Sequence, residues 1–271
     1  MKACINQDTL RTTPTDTFLR VSKQGGFGAV EFTMDKIEAL LEKGTVAGIK
    51  AMVQELGLET ASINGPENFN LIGKREFSEL LNRTGKVVEV ANQLNSNLLI
   101  PVPSPAQKGM REEDAISQTA DALEELSDYC GNNIKLGLEF LGMRECSINN
   151  LHAATETIKR VGRSNVGLVL DSFHMHISDS RFLEISQLKR DQVFLAHVND
   201  SERGEKNKLT DANRLYPGEG DIDLTAFTTS LKSIGYDRFL SLELLRPEYW
   251  RQDPLLVAKT GRESLRRTCG V

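Results

Sequence analysis

Cysteine is scarce in this chain, and the few cysteines present show none of the spacings that build a metal or redox site. The 271 residues contain four of them, Cys4, Cys130, Cys146 and Cys269, and no two form a CxxC pair. Because no histidine lies at a zinc-finger interval either, a cysteine-ligated zinc site is excluded. We therefore predict four reduced thiols that pack as small apolar side chains.

Long apolar runs and an excess of basic charge are also missing. No stretch of about 18 apolar residues occurs, and the first residues, MKACINQDTL, lack the apolar segment of a signal peptide. The formal net charge is -5, with Lys and Arg scattered along the chain. This indicates no basic surface for a nucleic-acid backbone. We expect a cytoplasmic protein with a small-molecule partner, no membrane or nucleic-acid partner, and homo-oligomerisation left open.

The glycine-rich and nucleophile motifs of several enzyme classes are absent. The turn after the first predicted strand reads NQDTLRTTP, which is not a dinucleotide-binding fingerprint, and the chain contains no P-loop or nucleophile elbow. Hydride-transfer and phosphoryl-transfer enzymes are therefore excluded. No Pro- or Ser-rich linker divides the chain, so we expect one domain over residues 1–271.

Short β-branched apolar runs alternate with longer amphipathic stretches from one end of the chain to the other. The strands predicted from these runs are residues 2–6, 28–32, 59–64, 97–102, 134–140, 165–171, 192–198 and 238–244. Helices are predicted near residues 15–24, 46–57, 75–95, 113–130, 149–162, 180–190, 223–235 and 255–268. Eight βα units without a dinucleotide fingerprint favour a single α/β (β/α)8 TIM barrel over an open doubly wound sheet.

Acidic or imidazole side chains end four consecutive predicted strands in the second half of the chain. KLGLE ends at Glu139, VGLVLD at Asp171, VFLAH at His197 and FLSLE at Glu243. In a closed parallel barrel the carboxyl ends of all strands meet at one mouth, so these side chains are expected to converge. Burying them together is costly unless a divalent cation neutralises them. We predict one divalent metal ion on these four ligands, with manganese, cobalt, zinc and magnesium all compatible with the donor set.

Two basic or imidazole residues after the sixth and seventh strands are candidate substrate contacts. His174 lies in DSFHMH, in the loop expected after the sixth strand, and Arg214 precedes the turn in NRLYPGEG. Loops at the carboxyl ends of barrel strands carry most substrate contacts. For Arg214 an ion pair with Asp211 or Glu219 is an equal alternative.

Four further polar or aromatic residues are expected near the same mouth. Asn6 and Asn64 end earlier strands, as Glu31 does, and could hydrogen-bond a polyol. Tyr249 and Trp250 follow the eighth strand in LLRPEYW and could wall the pocket with an apolar face. The alternative for each of them is a structural role in packing or in orienting a loop.

Several motifs, densest between residues 134 and 250, link the chain to a known family. They are MKACIN, VEFTMDK, LGLEF, NVGLVLDSFHMH, HVND, NRLYPGEGDIDL and SLELLRPEYW. The sequence resembles the xylose-isomerase-like barrel superfamily, which includes sugar isomerases, ketose 3-epimerases and apurinic endonucleases. Within that superfamily it resembles the inosose (2-keto-myo-inositol) isomerases.

The resemblance implies a site on the same residues that the strand ends indicate. The single metal of the family would lie on Glu139, Asp171, His197 and Glu243. The resemblance also implies that the two glutamates are catalytic, acting as acid and base toward a polyhydroxy ketone. The endonucleases of the superfamily use three metals and need histidines after strands three and four. Here those segments read TASINGPENFN and LLIPVPSPAQ, so a DNA-cleaving enzyme is disfavoured.

The activity implied is proton abstraction next to a ketone, through an enediolate, by a metal-dependent isomerase or epimerase. An inosose isomerase is the first hypothesis. A ketose 3-epimerase, an inosose dehydratase and a non-catalytic sugar-binding barrel are the alternatives.

Overall fold

Eight parallel strands close into a barrel in the computed structural model, which describes residues 1–178 and 180–271. In chain order the strands are β1 (Lys2–Asn6), β2 (Ala29–Thr33), β3 (Glu59–Glu67), β4 (Leu98–Val102), β5 (Lys135–Glu139), β6 (Val166–Asp171), β7 (Val193–Val198), β8 (Asp200–Ser201), β9 (Arg214–Leu215) and β10 (Phe239–Leu242). Around the barrel the order is β1, β10, β7, β6, β5, β4, β3, β2, and β8 pairs with β9 in a separate antiparallel ribbon. The predicted (β/α)8 TIM barrel is confirmed.

Helices cover the outside of the barrel and follow most of the predicted positions. They are α1 (Thr15–Gln24), α2 (Met34–Glu42), α3 (Val46–Glu55), α4 (Lys74–Gln93), α5 (Glu112–Cys130), α6 (Leu151–Val161), α7 (Ser172–Ile177), α8 (Leu224–Ser233), α9 (Pro247–Trp250) and α10 (Pro254–Cys269). Among the described residues, no helix combines the length and apolar character needed to span a membrane.

Three local predictions were wrong. Helix α2 was not expected, although Met34, Ile37 and Leu40 recur at helical spacing and are buried. The helix predicted at 180–190 is instead a 3-10 helix, Phe182–Gln187, because the apolar residues of that segment recur every three residues. His174 lies in α7 rather than in a loop, because the side chain of Asp171 caps that helix.

An apolar layer fills the barrel beneath its polar mouth. Leu98, Ile100, Val169, Phe194 and Leu195 form a buried cluster separate from the larger core between strands and helices. Because side chains alternate along a strand, Val169 and Leu195 share the face of the polar residues two positions later. The candidate ligands Asp171 in β6 and His197 in β7 therefore lie directly above this packed apolar layer.

Candidate active site

Four side chains meet at the carboxyl ends of β5, β6, β7 and β10, which are neighbours in the barrel. Glu139 and Asp171 are the last residues of their strands, His197 is the penultimate residue of β7, and Glu243 directly follows β10. All four are buried, and one possible ligand atom from each lies within 4.8 Å of the others. The structure therefore brings together the four residues that the strand ends indicated, and this group could hold one metal ion.

The imidazole of His197 has one nitrogen inside this group and one outside it. Its Nδ1 lies 2.7 Å from Oε1 of Glu139, 3.4 Å from Oε2 of Glu243 and 4.0 Å from Oδ2 of Asp171. Its Nε2 faces away, 3.1 Å from Oε1 of Glu31. Nδ1 is thus the atom available for a metal.

Burial and crowded charge displace two pKa values in the group. Burial alone would lower the pKa of His197, but the carboxylates of Glu139, Glu243 and Glu31 outweigh it and raise that pKa well above its ordinary value. Burial raises the pKa of Glu243 well above its usual range, and the neighbouring Glu139 carboxylate adds to the rise. The raised pKa values favour protonation of His197 and Glu243, and this protonation competes with the binding of a divalent cation.

The donor set fits a divalent metal. Three carboxylates and one imidazole nitrogen are buried within 4.8 Å of one another, and no thiol is among them. Such oxygen-rich ligation with a single nitrogen is compatible with zinc, manganese, cobalt and magnesium. A divalent cation would compensate the negative charge of the three carboxylates more completely than the single guanidinium of Arg214 does.

We expect metal affinity to rise with pH through and above neutrality. A metal needs His197 neutral and Glu243 ionised, whereas the raised pKa values of both groups favour the protonated forms at neutral pH. Lowering the pH therefore strengthens proton competition, and raising it relieves that competition. Calorimetric titration with Zn²⁺ in buffers of different ionisation enthalpy should show proton release on binding. Binding without proton release would contradict this assignment.

Arg214 is a fully buried cation that contacts this group directly. Its Nη1 donates to Oδ2 of Asp171 and to Oε2 of Glu243, both at 2.8 Å, and its Nη2 donates to Oδ1 of Asp211 at 2.7 Å. Burial alone would raise the pKa of Asp171, but Arg214 outweighs it and holds that pKa below the usual range. Arg214 therefore forms the ion pair with Asp211 that was the alternative to substrate contact, and it also contacts the candidate ligands Asp171 and Glu243.

The tautomer of His174 follows from its contact with Arg214. The guanidinium Nη2 lies 3.1 Å from Nε2 of His174, and because a guanidinium only donates, Nε2 must accept. The proton of a neutral ring is then on Nδ1, a buried atom without a hydrogen-bond partner among the described residues.

Asn6 and Asn64 orient a carboxylate of the group. Their Nδ2 atoms donate to Oε1 of Glu243 at 2.8 and 3.2 Å. Each amide thus donates to Glu243, which supports the orienting role that was the alternative for both residues, and contact with a polyol stays a prediction. A polar residue at the end of a strand can serve the neighbouring ligand as readily as a substrate.

Asn199 is a site residue that the sequence reasoning missed. Its Nδ2 donates to Oδ2 of Asp171 at 3.1 Å, and the hydroxyl of Ser172 donates to its Oδ1 at 3.0 Å. The signal was present in the segment HVND, because Asn199 follows His197 by two residues and two positions along a strand share a face. Asn199 holds the Asp171 carboxylate in place.

Tyr249 and Trp250 pack around the mouth. The ring of Tyr249 stacks on that of Tyr216 with centroids 4.3 Å apart, and Nε1 of Trp250 donates to the carbonyl oxygen of Asp8 at 2.8 Å. Neither is among the residues that line the cavity described below. These contacts support a packing role for Tyr249 and Trp250, which was the alternative to a role in walling the pocket.

A small cavity of ≈ 220 Å³ opens onto the group. Glu139, Glu243, His174, Arg214 and Asn64 line it, together with several polar residues of the neighbouring loops. Sites for drug-sized ligands measure about 300–1,000 Å³, so this one suits a single small ring. The catalytic, basic and imidazole candidates thus share one cavity.

Known proteins are similar to this chain in sequence, and a solved structure is similar to it in fold. The inosose isomerase of Bacillus subtilis (strain 168) is 31% identical over 271 residues, which are 99% of this chain and 96% of that protein. The ketose 3-epimerase of Arthrobacter globiformis is 27% identical over 230 residues, 80% of this chain and 72% of that protein. The solved structure of the IolI protein with a bound zinc atom matches with a TM-score of 0.95 and 29% identity, covering 100% of this chain and 98% of that chain.

A family model agrees with these pairwise similarities. The model described as xylose isomerase-like TIM barrel matches residues 19–268, which is most of the chain. The chain belongs to the xylose isomerase-like TIM barrel family.

Proposed function

We propose that this protein is a divalent-metal-dependent isomerase of inosose (2-keto-myo-inositol). The observation that carries the proposal is that two buried glutamates of one potential metal group, Glu139 and Glu243, also line a small cavity. Similarity to the inosose isomerase of Bacillus subtilis over 99% of the chain supports the choice of substrate.

The metal ligands proposed are Glu139, Asp171, His197 and Glu243. A divalent cation held there supplies a Lewis acid that polarises the ketone and the adjacent hydroxyl oxygen of the substrate. The zinc atom in the similar IolI structure supports this use of the group.

Glu139 and Glu243 are the proposed acid and base. Removal of a proton next to a ketone yields an enediolate, and return of the proton at the neighbouring carbon completes an isomerisation. Glu243 is held by Asn6, Asn64 and Arg214. Glu139 has one side-chain hydrogen-bonding contact among the described residues, with Nδ1 of His197. The less constrained Glu139 is the better placed of the two to move a proton.

His174 and Arg214 are proposed to hold the substrate oxygens. His174 and Arg214 line the same cavity as the two glutamates. Arg214 is already engaged by Asp171, Glu243 and Asp211, so it offers little to a phosphate. The substrate we propose is therefore an uncharged polyhydroxy ketone and not a nucleic acid.

A ketose 3-epimerase is the second candidate. Similarity to the enzyme of Arthrobacter globiformis over 80% of the chain favours it, and epimerisation at one carbon needs the same acid, base and metal. The two activities differ in where the proton returns.

Hydrogen exchange in D₂O separates these candidates. We expect the protein with Mn²⁺ to incorporate deuterium at the carbon next to the ketone of an inosose, with conversion to its positional isomer, as followed by ¹H NMR. Phosphorylated sugars should be poor substrates. Efficient turnover of a linear ketohexose, without exchange in any inosose, would instead establish the epimerase. Loss of a hydroxyl group from an inosose would indicate a dehydratase, and no exchange in any substrate a non-catalytic barrel.

A further inference from the structure

Glu31 is a fully buried carboxylate that stands next to the proposed metal ligands without belonging to them. It lies in β2, on the opposite side of His197 from the other carboxylates. Its Oε1 and Oε2 lie 3.1 and 3.3 Å from Nε2 of that imidazole. The hydroxyl of Ser62 in β3 donates a short hydrogen bond to its Oε2.

A local irregularity of the sheet brings Glu31 and Ser62 together. Val30 pairs with Thr60, whereas the next residue, Glu31, pairs with Ser62, so that Ala61 is an extra residue in β3. A bulge of this kind changes the direction in which the following side chains point. Here it sets a hydroxyl beside a carboxylate under the imidazole.

The contact with Glu31 determines which nitrogen of His197 would carry the proton when a cation is bound. Both nitrogens face carboxylates: Nδ1 lies 2.7 Å from Glu139 and Nε2 lies 3.1 Å from Glu31. A cation among Glu139, Glu243 and Asp171 would take the lone pair of Nδ1, whereas Glu31, which accepts from Ser62, requires the proton on Nε2. The opposite tautomer would leave Nε2 facing a carboxylate with neither a proton nor a cation between them.

We infer that Glu31 is a positioning residue that fixes the orientation and tautomer of His197, so that Nδ1 is the metal-binding atom. A carboxylate behind a metal-binding imidazole also makes the ring a stronger donor. Ser62 holds that carboxylate in turn. The inference rests on the proposed metal site and adds a residue outside its four ligands.

Replacing Glu31 tests the role through metal binding rather than activity. Glu31→Gln keeps the shape of the side chain but removes the charge. We expect it to weaken Zn²⁺ and Co²⁺ binding about 10- to 100-fold, as such changes behind a ligand typically do, and to alter the visible spectrum of the Co²⁺ protein. Ser62→Ala should weaken binding less, in the same direction. Chelator competition measures both affinities on protein shown to be folded by circular dichroism.

The matched control is Glu59→Gln. Glu59 begins β3 at the other end of the barrel, where it pairs with Lys2 at the surface, and its replacement should leave metal affinity unchanged. Long-range ¹H–¹⁵N NMR of the Zn²⁺ protein, which has only four histidines, should show His197 protonated at Nε2 and metal-bound at Nδ1.

Opposite outcomes overturn the inference. Zinc bound through Nε2 would do so, as would wild-type affinity and an unchanged Co²⁺ spectrum in Glu31→Gln. If Glu31→Gln does not fold, wild-type affinity in Ser62→Ala has the same meaning. Failure of the wild-type protein to bind any of these metals would instead overturn the proposed metal site itself.

Discussion

Replacing His197 with alanine is expected to weaken metal binding by more than about 100-fold. Changes to the groups behind a ligand already cost about 10- to 100-fold, and this change removes the ligand itself. Nδ1 is the one nitrogen among the four candidate donors. The purified variant should therefore contain little metal after expression in medium supplemented with Mn²⁺ or Zn²⁺, as measured by inductively coupled plasma mass spectrometry.

The variant should also be less stable. Glu31 would lose its imidazole partner, and a buried polar group left without its partner costs about 1–3 kcal/mol. His152→Ala is the matched control, because His152 is an exposed residue of α6 and is not one of the four candidate ligands. It should keep wild-type metal content. Full metal occupancy in His197→Ala would contradict the ligand assignment.

The fold could be predicted because its signal is repeated eight times along the chain. Each strand lies in a short apolar run, and the position of each strand determines where its end lies in a parallel barrel. That rule placed Glu139, Asp171, His197 and Glu243 at one mouth, and the structure has them within 4.8 Å of one another. The convergence of these four residues could therefore be predicted although they lie tens of residues apart in the sequence.

The hydrogen bonds within the site could not be predicted in the same way. Asn6 ends β1, as expected, whereas Asn64 lies inside the longer strand β3. Whether their amides contact Glu243 depends on distances across the barrel. The contact between Glu31 and His197 depends on a bulge in the β2–β3 pairing, which no apolar pattern marks. Strand periodicity predicts which residues share a mouth, whereas the partner of each side chain depends on register.

Loops after the strands were the least predictable part. Tyr249, in the short helix α9 after the eighth strand, was a candidate pocket wall, and its ring stacks on Tyr216, a residue 33 positions earlier that follows β9. The two residues come from separate segments of the chain, so no local pattern predicts the contact. Arg214, in contrast, could be placed near the site because it follows the seventh strand, where the loops of a barrel reach the mouth.

Glu139→Gln is expected to lower turnover of the preferred substrate about 10²- to 10⁴-fold, the usual contribution of one acid or base group. The amide keeps an oxygen for a metal but cannot take up a proton, so some metal should remain while exchange of the substrate hydrogen with D₂O is lost. Glu243→Gln should reduce turnover too, but it also disturbs the contacts with Asn6 and Arg214. Its metal affinity and melting temperature should therefore fall further than those of Glu139→Gln.

The control for the last prediction is Glu145→Gln, an exposed glutamate in the loop that follows β5. It should keep wild-type turnover and exchange. Exchange rates normalised to bound metal separate loss of the proton-transfer group from loss of the cation, because a variant that only lost metal would regain exchange at saturating Mn²⁺. If Glu139→Gln at saturating Mn²⁺ exchanged the substrate hydrogen at the wild-type rate, Glu139 would be a ligand without a role in proton transfer. The base would then have to be Glu243, which hydrogen bonds from Asn6, Asn64 and Arg214 hold in place.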